Sequence, residues 1–309
     1  MSIEYAIIVK NKTRLESLIE RFNTRAQAKF YIESLGGNFT DYEIEHEAFY
    51  VSLNILQAML SKVIKYKIVD RAFIPSFIFS EKHMIVVIGQ DGLVANTAKY
   101  AKGLPIVAVN PDTDRYDGVL LPFTTADFMA GVEGVIANQF QFKKRRFAEA
   151  KLNDGQRLLA FNDLFIGAAS HVSARYRITY GTKTEEHSSS GLIVSTPAGS
   201  TGWLSSMINM AFEILNTANG NQKLKKPVFK EDDLIFAVRE PFKSIRTQTD
   251  IVLGSIHQES YLKIESLMPS KGIIFSDGIE ADFLSFNSGA VATIGIASET
   301  AILVTSNDE

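Results

Sequence analysis

The sequence predicts an α/β N-terminal domain with a mostly parallel sheet, followed by a C-terminal all-β domain with one inserted helix. Three observations carry this. The chain has 309 residues, and a typical domain holds about 150, so two domains are expected. In the first half, continuous apolar runs alternate with segments of helical period, the pattern of parallel strands covered on both faces by helices. From about Phe142 onward, short extended runs follow one another with turn signals between them.

In the first half, Tyr5 to Val9 reads as a buried strand. Leu15, Leu18, Ile19 and Phe22 then recur at i, i+3, i+4 and i+7 on one helix face. Gly36-Gly37 breaks the pattern, and Leu53, Leu56, Leu60 and Ile64 outline a second amphipathic helix. Met84 to Ile88 is the next strand, followed by Gly89-Gln90-Asp91-Gly92 and a helix over Leu93 to Lys102. Ile106 to Val109 is a further strand ending at Asn110-Pro111, and Thr124 with Asp127 has the spacing of a capping box before a helix reaching about Asn138. In the second half, the strands are Arg157–Phe161, Ala174–Tyr180, Leu192–Ser195, Leu234–Val238, Ile251–Gly254 and Ile273–Phe275. Asn153-Asp154-Gly155 is a hairpin turn, Leu204 to Leu215 a helix, and Asn216 to Lys226 an exposed loop. Lys143-Lys144-Arg145-Arg146 sits near the expected junction and reads as a solvated strand edge or linker.

Composition narrows the function. The net charge is -3, so a broad basic surface for nucleic acid is not expected. There are no cysteines, which excludes disulfides, thiolate metal sites and a cysteine nucleophile. No apolar run is long enough for a membrane span, and the opening residues read as a strand, not a signal peptide. A cytoplasmic setting is the simplest expectation. The histidines show no ligand spacing, and no protein metal site is expected.

Four short segments combine residue types suited to chemistry. Gly89 to Gly92 lies between a buried strand and a helix, where backbone N–H groups and the helix N-terminus favour an anion. The carboxylate of Asp91 would repel a phosphate packed against it, yet it suits accepting a proton from an attacking hydroxyl. An ordinary tight turn with an Asp cap reads equally well from this segment alone. Ser188 to Trp203 runs from a strand into a loop dense in hydroxyls and glycine, then into a helix. Glycine permits close backbone approach, and hydroxyls supply donors and acceptors for ribose or phosphate. Asn162-Asp163 and Asp277-Gly278 each close an apolar run, and each by itself is no more than a turn signal.

Taken in order, these segments resemble the NAD kinases. That family carries a Gly-Gly-Asp-Gly motif, an Asn-Glu/Asp pair, a Thr-Pro-Thr-Gly-Ser-Thr-Ala-Tyr motif and a late Asp-Gly. Here they correspond to Gly89–Gly92, Asn162-Asp163, Thr196–Trp203 and Asp277-Gly278, across most of the chain, the third being the most specific. Lys12-Thr13-Arg14, Val109–Asp112 before Arg115–Gly118, Trp203 in place of Tyr, and Arg239-Glu240-Pro241 resemble the mitochondrial-type branch. The resemblance implies phosphoryl transfer from ATP, or another phosphate donor, to the 2′-hydroxyl of the adenosine ribose of NAD, giving NADP. It makes Asp91 the general base. Gly89 and Gly92 would lie along the pyrophosphate, and Asn162, Asp163, Thr201, Gly202, Trp203 and Ser206 would hold NAD, with Trp203 offering a stacking face. Lys12 and Arg14 would meet the ATP phosphates. Mg2+ would come with ATP, bridging phosphates. A homodimer or larger homo-oligomer is implied, with no nucleic-acid or membrane partner.

The same resemblance implies a phosphate-donor and catalytic-loop domain over residues 1–142 and a dinucleotide-binding domain over 143–287. The tail, 288–309, would return to the first domain, with the active site in the cleft between the two. Three positions depart from the family pattern. Gln90 stands for Gly, Ala198 for Thr, and Ser190 for an Asp found in many relatives. A left-handed backbone at position 90 would strain Gln by about 1–2 kcal/mol, and its side chain would crowd the phosphates. Gln90 motivates one alternative, a nucleotide-binding homologue with weak or no catalysis; the other is a kinase of a lipid or sugar acceptor, since Gly-Gly-Asp-Gly loops also occur in lipid kinases.

Overall fold

The computed structural model describes residues 3–218, 230 and 232–306. It forms two compact units, residues 1–144 with 301–309, and residues 145–300.

The first unit runs β1 (Tyr5–Lys10), α1 (Arg14–Phe22), α2 (Arg25–Ser34), α3 (Thr40–Leu60), β2 (Lys65–Asp70), β3 (His83–Ile88), α4 (Asp91–Ala98), β4 (Pro105–Asn110), β5 (Phe123–Thr124) and α5 (Phe128–Ile136). Its strands pair in the order β2-β1-β3-β4, all parallel. Ala6–Val9 of β1, Met84–Ile88 of β3 and Ile106–Val109 of β4 are buried, as strands covered on both faces must be. β2 escaped the sequence reading because it is an edge strand. It exposes Lys65 and Lys67 and buries only Val69. Its position matters, because the chain goes from β1 outward to β2 and then returns to place β3 on the other side of β1. Strand order therefore reverses between β1 and β3, and open parallel sheets bind ligands beyond the strand ends at such a reversal. Lys10 pairs with Ile88 there, so the Asn11–Thr13 turn and the Gly89–Gln90 turn leave the sheet side by side.

Several local expectations shift. The helix expected over Leu53 to Ile64 is longer and starts earlier, at Thr40, and Ile64 lies beyond its end. α2, with a single buried residue, Ala28, had little apolar period to reveal it. The helix expected to Lys102 ends at Ala98. Thr124 and Asp127 do not form a capping box. The Thr124 backbone N–H and hydroxyl donate to Asp127 at 2.6 and 2.9 Å, closing the turn ahead of α5.

The second unit contains β6 (Phe142–Leu152), whose first residues belong to the first unit, β7 (Arg157–Ala160), β8 (Asp163–Ala168), β9 (Ala174–Tyr180), β10 (Lys183–Ser189), β11 (Leu192–Ser195), α6 (Trp203–Ala218), β12 (Leu234–Val238), β13 (Leu253–Ile256), β14 (Leu262–Ser266), β15 (Gly272–Ser276), β16 (Ile279–Ser285) and β17 (Val291–Val304). One antiparallel sheet has the order β13-β12-β11-β8-β15-β16. The other contains β10-β9-β14-β17 and the β6–β7 hairpin. Leu164, Ile166, Val194 and Phe236 from the first sheet and Tyr176, Ile178, Ile264 and Ile294 from the second share one core. On the other face of the first sheet, Trp203, Leu204, Met207 and Ile208 of α6 pack on Phe165, Ile193, Ile235 and Phe275. That double cover is why β8, β11, β12 and β15 read as continuous apolar runs.

Residues 288–300 remain with the second unit because β17 begins by pairing with β14. Only its end, Ile302 and Leu303, pairs with β4, so the return falls later than residue 288. The strand expected at Ile251–Gly254 lies at Leu253–Ile256. The exposed loop expected over Asn216 to Lys226 starts as the end of α6, and its remainder lies outside the described residues.

Candidate functional site

In the first unit, β3 ends at Ile88 and α4 begins at Asp91. The positive φ in the turn between them belongs to Gly89, at +156°, whereas Gln90 is extended at φ −107°. The strain expected at position 90 is therefore absent. The Gln90 side chain lies near the hydroxyl of Tyr116, whose pKa is raised chiefly by burial. Asp91, half-buried at the head of α4, accepts the Leu120 N–H at 2.7 Å through Oδ1. Asp91 thus pins the 110–121 loop at Leu120. No hydrogen bond to the second Asp91 oxygen is found among the described residues. Gly92 is exposed, and a Cβ there would meet nothing within 4 Å, so the Gly92 side of the first turn of α4 is open. The first-turn N–H groups of a helix lack intrahelical partners and attract anions.

Lys12 and Arg14 are engaged. The Lys12 ammonium pairs with Glu20 at 2.8 Å, which raises its pKa. The Arg14 guanidinium pairs with buried Glu45 and lies 4.7 Å from the Tyr42 ring centre. Between them Thr13 caps α1 in a reciprocal box with Glu16, and Oγ1 also meets His46 Nδ1 at 2.8 Å. Both cations sit at the strand-order reversal, each with a carboxylate partner of its own.

In the second unit, sheet register joins three motifs that are far apart in sequence. Asp163 at the start of β8 lies opposite Ser195 at the end of β11, and Ser276 at the end of β15 lies opposite Leu164. The segments leaving those strands therefore meet. Asp277 adopts a left-handed backbone, φ +53°, which turns its side chain back across the sheet end. Its carboxylate accepts the N–H groups of Phe161, Asn162 and Asp163 at 3.0, 2.6 and 3.3 Å, and its own N–H donates to the Asp163 carbonyl at 2.9 Å. From the other side, the Thr196 N–H donates to the Asn162 carbonyl at 2.8 Å and its hydroxyl to the Phe161 carbonyl at 2.6 Å. A Cβ on Gly199 would stand 2.4 Å from the Asn162 carbonyl oxygen, so only glycine fits. The sequence offers Asp277 as a hairpin signal and as the last of the four family-like motifs, with no role for its side chain. Nothing local reveals its grip on residues 115 positions away.

This knot holds Asp163 in an unusual state. Oδ1 is buried without a hydrogen-bond partner among the described residues. Burial pushes the carboxyl pKa up to about 6, a hydrogen bond from the Ser195 hydroxyl opposes the rise, and the Asp277 charge adds to it. An orphaned buried acceptor is costly unless a ligand donor completes it.

Trp203 opens α6 and lies parallel to Phe165, with ring centres 5.7 Å apart and planes 6° from parallel. The Arg239 guanidinium sits 5.1 Å from the Trp203 ring centre and 5.8 Å from that of Phe165. These residues line a cavity of about 560 Å³ with Ser190 and Phe275. The stacking surface of Trp203 is thus shared with Phe165 and Arg239, neither of which the sequence reading placed in a site. Thr201 and Gly202 are exposed on the loop before α6, and the exposed Ser206 hydroxyl turns back to the Gly202 carbonyl at 3.3 Å. Among the described residues no group of three or more His, Asp or Glu gathers to hold a metal, and no helix is long and apolar enough to cross a membrane.

The architecture is an α/β unit with a glycine-bearing turn at its strand ends, joined to a two-sheet antiparallel unit with a polar knot at its own. No family model matches the sequence. The NAD kinase of Heliobacterium modesticaldum is 34% identical over 128 residues, 39% of this chain and 44% of that protein. The bifunctional NADP phosphatase/NAD kinase of Methanococcus maripaludis is 28% identical over 178 residues, 51% of this chain and 31% of that protein. The matched stretches thus span under half the length of these relatives. Among solved structures, yeast NADH kinase complexed with NADH has a TM-score of 0.60 at 16% identity, over 100% of this chain and 85% of that one. An NAD kinase from Archaeoglobus fulgidus in complex with ATP has a TM-score of 0.55 at 15% identity, over 98% and 94%. The fold is that of the NAD kinases, the name its sequence relatives also carry.

Proposed function

We propose that the chain transfers a phosphoryl group from ATP to the 2′-hydroxyl of the adenosine ribose of NAD, giving NADP. The observation that carries this is Asp91, placed by the Gly89–Gly92 turn at the head of α4, where strand order reverses, with one carboxylate oxygen committed to Leu120. In this reading the other oxygen takes the proton of the 2′-hydroxyl while that oxygen attacks the γ-phosphorus. The bond from phosphorus to ADP breaks, and ADP leaves with the electron pair. The open first turn of α4 receives phosphate oxygens, and the Asp163 knot meets a hydrogen-bond donor of the dinucleotide. Positioning and charge supply most of the acceleration, because phosphoryl transfer asks little covalent chemistry of protein. Magnesium would accompany the nucleotide phosphates and would offset their charge. The motifs at Lys12–Arg14, Val109–Asp112, Trp203 and Arg239–Pro241 favour the mitochondrial-type branch.

A second reading, a nucleotide-binding homologue without turnover, draws on the partners of Lys12 and Arg14, which leave neither cation uncommitted. Incubation with NAD and magnesium-ATP decides between them. NADP formation that Asp91→Asn removes supports the kinase, and NAD binding without product supports the second reading.

A further inference from the structure

α3 carries two apolar faces. Phe49, Leu53, Leu56 and Leu60 are buried in the core of the first unit. On another face, Ile44, Ala48, Val51, Ile55 and Ala58 recur at spacings of four, three, four and three residues. Ile44, Val51 and Ile55 are 51%, 58% and 40% exposed. A surface helix needs one apolar stripe, facing its own core. A further stripe with a period of 3.5 residues is the pattern of a seam between two helices.

The order of sizes and charges along the seam selects the occupant. In an antiparallel pair with a twofold axis at Val51, Ile44 meets the partner's Ala58, Ala48 meets the partner's Ile55, and Val51 meets its own copy. Each Ile then faces an Ala, so both ends of the seam can close to one depth. The same register sets exposed Asp41, in the first turn of α3, against the partner's Lys62, just past its last turn. A parallel pair would set Asp41 against the partner's Asp41 and Lys62 against the partner's Lys62. It would also align the two helix dipoles, which the antiparallel arrangement opposes favourably.

We infer that this face of α3 docks against the same face of a second copy of the chain, antiparallel about a twofold axis at Val51. The inference rests on α3 and not on the reaction proposed above. An isologous contact of this kind closes after one pairing and leaves a dimer.

The absence of cysteine makes the test clean, because one introduced thiol is the only thiol present. Packed helices lie about 8–10 Å apart with Cα atoms about 2.3 Å from each axis, leaving about 4–5 Å between facing Cα atoms. That separation suits a disulfide. Under mild oxidation Val51→Cys is expected to give a covalent dimer on a non-reducing gel, at least tenfold faster than Lys29→Cys on exposed α2. Ile44→Cys and Ala58→Cys are each expected to stay largely uncrosslinked alone and to crosslink when mixed. Val51→Lys, changing an exposed side chain, is expected to halve the mass of the species that α3 holds together, while the chain keeps its circular-dichroism spectrum and unfolds cooperatively. No crosslink at Val51 above the Lys29 control, or no mass change in Val51→Lys, overturns the pairing. Crosslinking of Ile44→Cys alone, without the mixed product, overturns its antiparallel sense.

Discussion

In the first unit the candidate reacting carboxylate comes from four consecutive residues, Gly89 to Gly92, set between a strand and the helix that follows it. In the second unit the candidate nucleotide-holding turn is assembled from three segments, with its main tie, Asp277 to Asn162, spanning 115 residues. A mutation in the first should change chemistry and leave the fold intact. A mutation in the second should cost stability and binding together, because the same hydrogen bonds shape the turn and present it.

Asp91→Asn should have the largest functional effect. It keeps an acceptor for the Leu120 N–H but loses the proton acceptor. Turnover should fall by about 10²–10⁴-fold while NAD affinity and melting temperature hold. Steady-state kinetics with calorimetric binding check it, and full turnover in this variant would remove Asp91 from the mechanism. Asp277→Ala tests the other side. It strands the N–H groups of Phe161, Asn162 and Asp163, and should cost about 3 kcal/mol in unfolding free energy. It should also weaken NAD at least tenfold while sparing ATP. Equal weakening of both nucleotides would show that the knot is not specific to NAD.

Asp163 sharpens the comparison through pH. Its pKa rises from 3.8 to about 6 in the folded chain. Between those values the folded chain holds a proton that the unfolded chain has lost, so stability declines as pH rises through that window and stays lower above it. Asp163→Asn should therefore stabilise the free protein at pH 8, by on the order of 2–3 kcal/mol, with the gain disappearing near pH 4. The variant should bind NAD less well. In the parent chain, a ligand donor to Asp163 favours the ionised carboxylate, so NAD affinity should drop as pH falls below about 6. Denaturation and titration at several pH values measure both. The smallest effect is expected from Gln90→Gly. Its backbone is already extended, so the change should move turnover less than about threefold and cost under about 1 kcal/mol in chain entropy. A large gain in rate would mean that the Gln90 side chain obstructs the phosphates.

Legibility followed burial. β1, β3, β4, β11, β12 and β15 were visible because strands covered on both faces are apolar nearly throughout. β2 and β10, with sequences KYKIVD and KTEEHSS at sheet edges, gave no such signal. Missing β2 hid the strand-order reversal that makes the Gly89–Gly92 turn a site and not merely a turn. The strain at Gln90 could be stated only conditionally for a related reason. Residue type alone does not say which member of a turn takes the positive φ, and here Gly89 takes it.

By itself the sequence determined the α/β and all-β halves, the strand–turn–helix at Asp91 and the order of the four motifs, because these depend on neighbours a few residues apart. Only the tertiary structure decided that Asp277 shapes Asn162 and Asp163, that Arg239 and Phe165 share the face of Trp203, and that Lys12 and Arg14 already have carboxylate partners. Those relations depend on strand register and on side chains meeting across long stretches of chain, and register is settled by the packing of whole sheets.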